Sequence, residues 1–334
     1  MSQPLVSIIM PVYNVERYVK EAIDSALNQT YPHLELIIMN DGSSDGTAAI
    51  CRSYTDPRVK YYENPFNMGV LRTRNEALKL ASGEYVAWLD SDDISLPTRL
   101  EKQVHFLEAN PDYVMCGTLH QDIDGEGCPL LKSYFPVTDK DLRSFLLLVN
   151  SFCNSSTIVR GPLMRELRFA EDCEVAEDYD LWIRLAQKGK LANIPEFLTL
   201  YRVHGNNISI TKKERMFAIV KTLAGRILTD AGVHYTPEEL EIHSKMLSFA
   251  GSWFGEENRI KALEDWVISI YNQLSTKKIY NNSLLFALLA ERWQVACIQN
   301  KRFGRIFFNR IVMRNFPTYC YVLGCKILKK PIRY

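Results

Sequence analysis

The chain has 334 residues, 47% of them apolar, which at the usual domain size of about 150 residues suggests roughly two domains with a sizeable core. That composition excludes collagen-like, wholly disordered and disulfide-scaffold classes. Lys and Arg number 40 against 39 Asp and Glu, a net charge of +1, so no global field draws the molecule to nucleic acid.

Val6 to Met10 reads as a buried strand ended by Pro11, and Glu16 to Leu27 as a helix with Val19, Ile23 and Ala26 or Leu27 on one face. Leu34 to Met39 is a second strand. Asp45 or Thr47 can cap a helix running to about Tyr54. Val59 to Tyr62 is a third strand, Val70 to Ala81 a helix, and Glu84 to Leu89 a fourth strand running into Asp90-Ser91-Asp92-Asp93. Leu100, Val104 and Leu107 mark another helix, followed by a strand at Tyr113 to Gly117. Gly125 to Pro136 carries turn formers without a period and reads as a loop or mobile connection. Strands return at Ser156 to Arg160 and Leu198 to Val203, with a helix from about Glu177 to Lys188 between them. This alternation marks βαβ units and a mainly parallel sheet.

After Ile210 the strand signal stops. Thr236-Pro237-Glu238-Glu239 is a capping box with Pro at the first helical position, and Ile260, Leu263, Val267, Ile270 and Leu274 keep helical spacing. The expected organisation is an α/β domain over residues 1–210 and a helical region over 211–334. Eight scattered cysteines without a CxxC pair indicate reduced thiols in a cytoplasmic protein. The start, MSQPLVSIIMPVYN, lacks the features of a signal peptide, and no stretch reaches the 18 or so apolar residues of a membrane span.

In an open α/β sheet ligands sit outside the carboxyl ends of the strands, so polar residues just after an apolar strand are the candidates. Tyr13 and Asn14, Asp41 to Gly46, Asp90 to Asp93, and His204 all hold such positions. Asp41-Gly42-Ser43-Ser44-Asp45-Gly46 is equally good turn and helix-cap chemistry. Three carboxylates within Asp90 to Asp93 repel one another and call for a cation, and oxygen ligands favour Mg²⁺ or Mn²⁺; a solvated acidic turn is the alternative. GxGxxG after the first strand, GxxxxGK[ST] and HExxH are all absent, which weakens dinucleotide, P-loop and zinc-protease readings.

These motifs resemble those of the family 2 glycosyltransferases, inverting enzymes with the GT-A fold. The matching residues are Val6 to Asn14, Glu35 to Thr47, Asn67-Met68-Gly69 with Arg74-Asn75, Gly83 to Asp93, Glu177 to Trp182 and Tyr201 to His204. The likeness covers about residues 5–210. It implies a UDP-sugar donor, with Pro11, Tyr13, Asp41, Arg74, Asp90 and Ser91 contacting the nucleotide: Tyr13 stacked on the base and Asp41 accepting from uracil N3–H. Many relatives carry Asp where this chain has Asn40. The likeness further implies a Mn²⁺ or Mg²⁺ ion on Asp92, with His204 as a second ligand or diphosphate contact. Asp178 is then the base that takes the acceptor's proton, Glu177 a supporting or acceptor contact, and Trp182 either an acceptor contact or, more in keeping with its helix, core packing. A nucleotidyltransferase is the rival enzyme reading, but the basic triphosphate loop it needs is missing from Pro11 to Asn14. A catalytically silent nucleotide- or glycan-binding module is the other, and it would be expected to have lost Asp92 or Asp178.

Residues 301–334 hold nine Lys or Arg and no Asp or Glu among many aromatics, leaving the first 300 with a net charge of −8. Such a tail suits an interfacial helix on an anionic membrane, or equally a helix packed on the catalytic domain. Peripheral attachment to the inner face of the cell membrane would suit a lipid-linked saccharide acceptor in surface polysaccharide synthesis; nucleic acid is not an expected partner.

Overall fold

The structure is a computed structural model describing residues 3–174, 176–204, 213–248 and 250–302. The chain divides into two compact units, one of residues 1–137 and 152–212, the other of residues 138–151 and 213–334. The sequence places the whole of 1–210 in one domain, whereas the stretch from Thr138 to Ser151 belongs with the helices that follow residue 212.

The first unit is a mixed α/β structure. Its strands are β1 (Val6–Val12), β2 (Leu34–Asn40), β3 (Val59–Glu63), β4 (Tyr85–Trp88), β5 (Ile94–Ser95), β6 (Tyr113–Ile123), β7 (Pro129–Ser133), β8 (Ile158–Arg160) and β9 (Lys190–Arg202). They form one sheet in the order β3-β2-β1-β4-β8-β6-β9-β5, with β7 paired to the end of β6 that lies beyond β8. β3, β2, β1 and β4 are parallel, β6 and β9 are parallel to each other, and β8 and β5 run against their neighbours. The helices of this unit are α1 (Val19–Leu27), α2 (Thr47–Arg52), α3 (Val70–Leu80) and α4 (Arg99–Ala109), then α6 (Gly161–Leu167) and α7 (Glu177–Ala186), with α5 (Asp139–Phe145) lying in the second unit.

Alternation along the strands builds the core. Val6, Ile8, Met10 and Val12 of β1 and Leu36 and Ile38 of β2 pack with Val19, Ile23 and Ala26 of α1 and Leu100, Val104 and Leu107 of α4. Each of these side chains except that of Ala26 contributes about 1.5–3 kcal/mol on full burial. Helix α3 packs against β1 and β2 without joining that cluster, so it covers the opposite face.

Register then decides which loops meet. Val12 of β1 lies opposite Asn40 of β2, so Tyr13 and Asp41 leave the sheet side by side. Ile9 pairs with Trp88, which brings Asp90 out beside them, and Ile123 pairs with Arg202, two residues before His204.

Three sequence expectations need correction. Pro11 does not end β1, which runs through to Val12. Ile9 and Pro11 face β4, whose pairing with β1 stops at Trp88, so the missing N–H of Pro11 removes no rung of that ladder. The expected loop from Gly125 to Pro136 contains β7, antiparallel to β6; its Leu130 and Leu131 are both exposed, so no buried alternation reveals it. β9 begins at Lys190 rather than near Leu198, because Pro195 and Glu196 bulge out between Ile194 and Phe197 and break the apolar run.

In the second unit α8 (Lys213–Asp230), α9 (Pro237–Leu247), α10 (Glu257–Leu274) and α11 (Asn282–Gln299) accompany α5. The capping box is formed: Glu239 N–H donates to Thr236 Oγ1 at 3.2 Å and Thr236 N–H to Glu239 Oε2 at 2.7 Å. Fully buried His243 accepts from Trp266 Nε1 at 3.4 Å through Nδ1 and donates through Nε2 to the Leu147 carbonyl at 3.0 Å. Burial pushes its imidazole down to about 4 and keeps it neutral. The expectation of a basic membrane-binding tail falls on residues of which 303–334 lie outside the described ones. Among the described residues no helix is long and apolar enough to cross a membrane.

Candidate active site

The loops after β1 and β2 are zipped together by short polar side chains. Asn14, in the left-handed region at φ 48°, donates its N–H to Ser43 Oγ at 3.0 Å and accepts from Ser44 N–H at 2.8 Å. Asn40 is fully buried and accepts from the N–H and hydroxyl of Ser43 at 3.1 and 2.6 Å, while its amide donates to the Tyr61 hydroxyl at 2.9 Å. It therefore organises the turn. Gly42, at φ 71°, lies where a Cβ would stand 2.9 Å from the Phe66 backbone. Tyr13 is left 48% exposed at the mouth, with Pro11 buried in the strand behind it.

Asp41 is 3% exposed, and its carboxylate holds the neighbouring loop. Oδ1 accepts from Asn64 Nδ2 at 2.9 Å and from Met68 N–H at 2.8 Å, and Oδ2 accepts from Gly69 N–H at 2.9 Å. A carboxylate has about four acceptor positions, so Oδ2 keeps capacity for one further donor. Gly69 needs its freedom, since its φ of 88° and ψ of 150° suit glycine alone. Beside it a cleft of about 170 Å³ is lined by Met68, Gly69, Leu71, Arg72, Glu171 and Glu174.

The acidic turn spreads its carboxylates into different surroundings. Asp90 accepts from Arg74 Nη2 at 2.6 Å and from Asn154 Nδ2 at 3.3 Å, and its N–H donates to Ser155 Oγ at 3.0 Å. Ser91 is buried. Asp93 is buried and accepts from the Arg202 N–H at 2.8 Å, tying the turn to the end of β9. Burial, followed by the charges of Asp92 and Asp90, pushes the Asp93 carboxyl well above the usual carboxylate range. Arg202 also donates to the Asp92 carbonyl at 2.8 Å and to Glu21 at 2.5 Å, and lies 4.7 Å above the Tyr18 ring.

Asp92 and His204 face each other at the open side, with Nε2 2.9 Å from Oδ2 and the imidazole stacked on Tyr18 at 5.3 Å. One carboxylate oxygen and one imidazole nitrogen, both partly exposed, fit a divalent ion such as Mn²⁺ or Mg²⁺. Among the described residues no group of three His, Cys, Asp or Glu side chains is arranged to hold a metal. An ion here would complete its shell with water and substrate phosphates.

The third component is the start of α7, where Glu177, Asp178 and Asp180 occupy the first turn and suit the positive end of the helix dipole. Asp178 is partly exposed, and its Oδ1 accepts from Tyr179 N–H at 2.7 Å. Glu177 is buried and accepts from Arg74 Nη1 at 2.7 Å; burial pushes its carboxyl up to about 7, against the pull of Arg74. Trp182 is fully buried with its ring 5.8 Å from Phe152, which makes it a core residue and removes it from contact with any acceptor.

Arg74 is therefore an interior residue, 6% exposed. Sequence reasoning missed Phe169 beside it, the hydrogen bond from Asn154 to Asp90, the tether on Asp41 from Asn64, and the role of Asp93. Asn154 and Asn64 give no local signal, since each acts on a residue 64 or 23 positions away.

The family model described as glycosyl transferase family 2 matches residues 7–160. An uncharacterized glycosyltransferase of Haemophilus influenzae is 38% identical over 218 residues, covering 62% of this chain and 68% of that protein. The putative glycosyltransferase EpsE of Bacillus subtilis is 33% identical over 228 residues, covering 65% and 79%. Among solved structures, Staphylococcus aureus TarS 1–349 in complex with UDP-GlcNAc has a TM-score of 0.60 at 18% identity, covering 98% of this chain and 93% of that one. The mannosyltransferase PcManGT of Pyrobaculum calidifontis, in complex with GDP-Man and Mn²⁺, gives 0.54 at 18% identity, covering 99% and 89%. Both likenesses establish a shared GT-A fold.

Proposed function

The chain belongs to the family 2 glycosyltransferases, and on that premise we propose that it moves a sugar from a UDP-sugar to a saccharide hydroxyl with inversion, using a divalent metal. The observation that carries this reading is the meeting of three components at one edge of the sheet: the Tyr13 and Asp41 corner, the partly exposed Asp92–His204 pair, and the start of α7 with Asp178, linked to Asp90 through Arg74. The UDP and UDP-GlcNAc complexes of TarS support a uridine donor, and the GDP-Man and Mn²⁺ complex of PcManGT supports a metal.

Tyr13 offers an exposed ring on which a base stacks, and Asp41 Oδ2 accepts one donor from it, which favours the N3–H of uracil. Asp92 and His204 hold the cation; when bound, the ion supplies Lewis-acid stabilisation of the departing diphosphate. Asp178 takes the proton from the acceptor hydroxyl as its oxygen bonds to the anomeric carbon and the nucleoside diphosphate leaves from the other face. General-base catalysis of this kind contributes about 10²- to 10⁴-fold in rate. The acceptor is a saccharide, lipid-linked if the chain works in surface polysaccharide synthesis on the cytoplasmic face of the membrane.

The reading is tested by thermal shift with UDP, GDP and dTDP, each with and without Mn²⁺, alongside UDP release from a panel of UDP-sugars. Selective, metal-dependent protection by UDP is expected. Protection by GDP as strong as that by UDP would remove the role given to Asp41, whereas dTDP, which keeps the N3–H, tests the contacts to the ribose, and GDP selectivity would replace uridine with guanosine as the donor base.

A further inference from the structure

Arg74 lies on α3, five residues after the glycine tied to Asp41, with its side chain 7% exposed. Its guanidinium reaches in two directions: Nη2 to Asp90 at 2.6 Å and Nη1 to Glu177 at 2.7 Å. It also lies 5.6 Å from the Phe169 ring centroid. The next residue, Asn75, grips the backbone of Phe169, donating to its carbonyl at 2.9 Å and accepting from its N–H at 3.0 Å. Phe169 packs edge-on against Trp88 of β4 at 4.9 Å. Two adjacent residues of one helix thus hold both ends of the segment leading into Asp178, and the same guanidinium holds the first carboxylate of the acidic turn.

From this we infer that Arg74 is a positioning residue, one that sets the start of α7 and its Asp178 at a fixed place relative to the acidic turn, and that it is not a ligand of the nucleotide. The inference rests on the transferase reading above for its link to turnover. A planar fork with two donors per side suits this bridge between two carboxylates, whereas an ammonium satisfies them only as a point charge. Misplacement of a catalytic group by about 1 Å can cost 10²-fold in rate while leaving binding of the donor intact.

The test compares wild type, Arg74→Met, Arg74→Lys and Glu177→Gln in the full chain. With the UDP-sugar that wild type turns over, Arg74→Met is expected to lower kcat about 100-fold with donor KM changed less than about threefold. Added guanidinium ion should recover about tenfold of that loss, and Arg74→Lys should fall between. Glu177→Gln, which keeps Arg74 on Asp90, should lower kcat with KM unchanged even if the Met variant fails to fold. A loss carried by donor KM, in either variant, overturns the inference and makes Arg74 a nucleotide ligand. Absence of UDP release by wild type from every UDP-sugar overturns the transferase reading instead. Hydrogen exchange then decides the inference without turnover: faster exchange in peptides covering Phe169 to Glu174 and Glu177 to Asp180 of a folded variant supports it, and wild-type exchange there overturns it.

Discussion

Asp178 and Asp41 are both carboxylates at the site, yet their surroundings assign them different work. Asp178 has a partly exposed carboxylate at a helix start, so it can meet a hydroxyl, whereas Asp41 is buried and already accepts three protein donors. Asp178→Asn is therefore expected to retain UDP binding while losing about 10²- to 10⁴-fold in transfer, measured by UDP release against UDP titration. Full activity in that variant would remove the base from Asp178. Asp41→Asn should do the reverse in part. It replaces an acceptor oxygen by an NH₂ facing backbone N–H groups, so UDP affinity should fall and the melting temperature drop with it, on a scale of about 1–3 kcal/mol for an unmatched buried donor.

At the level of elements, the loop from Asn64 to Gly69 and helix α3 form one device. Its entry depends on Gly69, whose backbone lies in a region essentially confined to glycine although a Cβ there would meet nothing within 4 Å. Gly69→Ala is expected to cost about 1–3 kcal/mol through backbone strain alone, read as a lower denaturant midpoint. An unchanged midpoint would mean that the turn relaxes without cost. Much of this architecture was legible in the chain. Apolar runs at Val6, Leu34 and Tyr85 end in polar residues, which marks both the parallel strands and the edge where a ligand sits. What escaped has physical reasons. β7 turns Leu130 and Leu131 to solvent, Pro195 interrupts β9, and Arg74 finds partners 16 and 103 residues away, beyond any periodicity. α5 did carry a signal, since Thr138 caps it by accepting from Asp141 N–H, in the pattern of a capping residue three positions before an acid.

For the molecule as a whole, one response to acid is built into the second unit. His243 in the second unit is neutral in the folded state, with its imidazole lowered from 6.5 to about 4 by burial. Its contribution is complete above about pH 6.5 and is lost as pH falls towards 4, because the unfolded chain takes up a proton that the folded unit refuses; the full span is about 3 kcal/mol. Denaturant unfolding followed at Trp266, which hydrogen-bonds His243, should show this slope, and His243→Gln should flatten it. A slope unchanged by the substitution would assign the acid sensitivity elsewhere.

Calorimetric titration of UDP in Mn²⁺ and in chelator, with wild type, Asp92→Asn and Asp178→Asn, bears most directly on the claim that a cation held by Asp92 and His204 binds the donor diphosphate. Wild type and Asp178→Asn should bind UDP in Mn²⁺, and chelator or Asp92→Asn should weaken binding at least about tenfold, the loss of one metal ligand or its ion. UDP binding of equal strength with and without metal, and in Asp92→Asn, would contradict it.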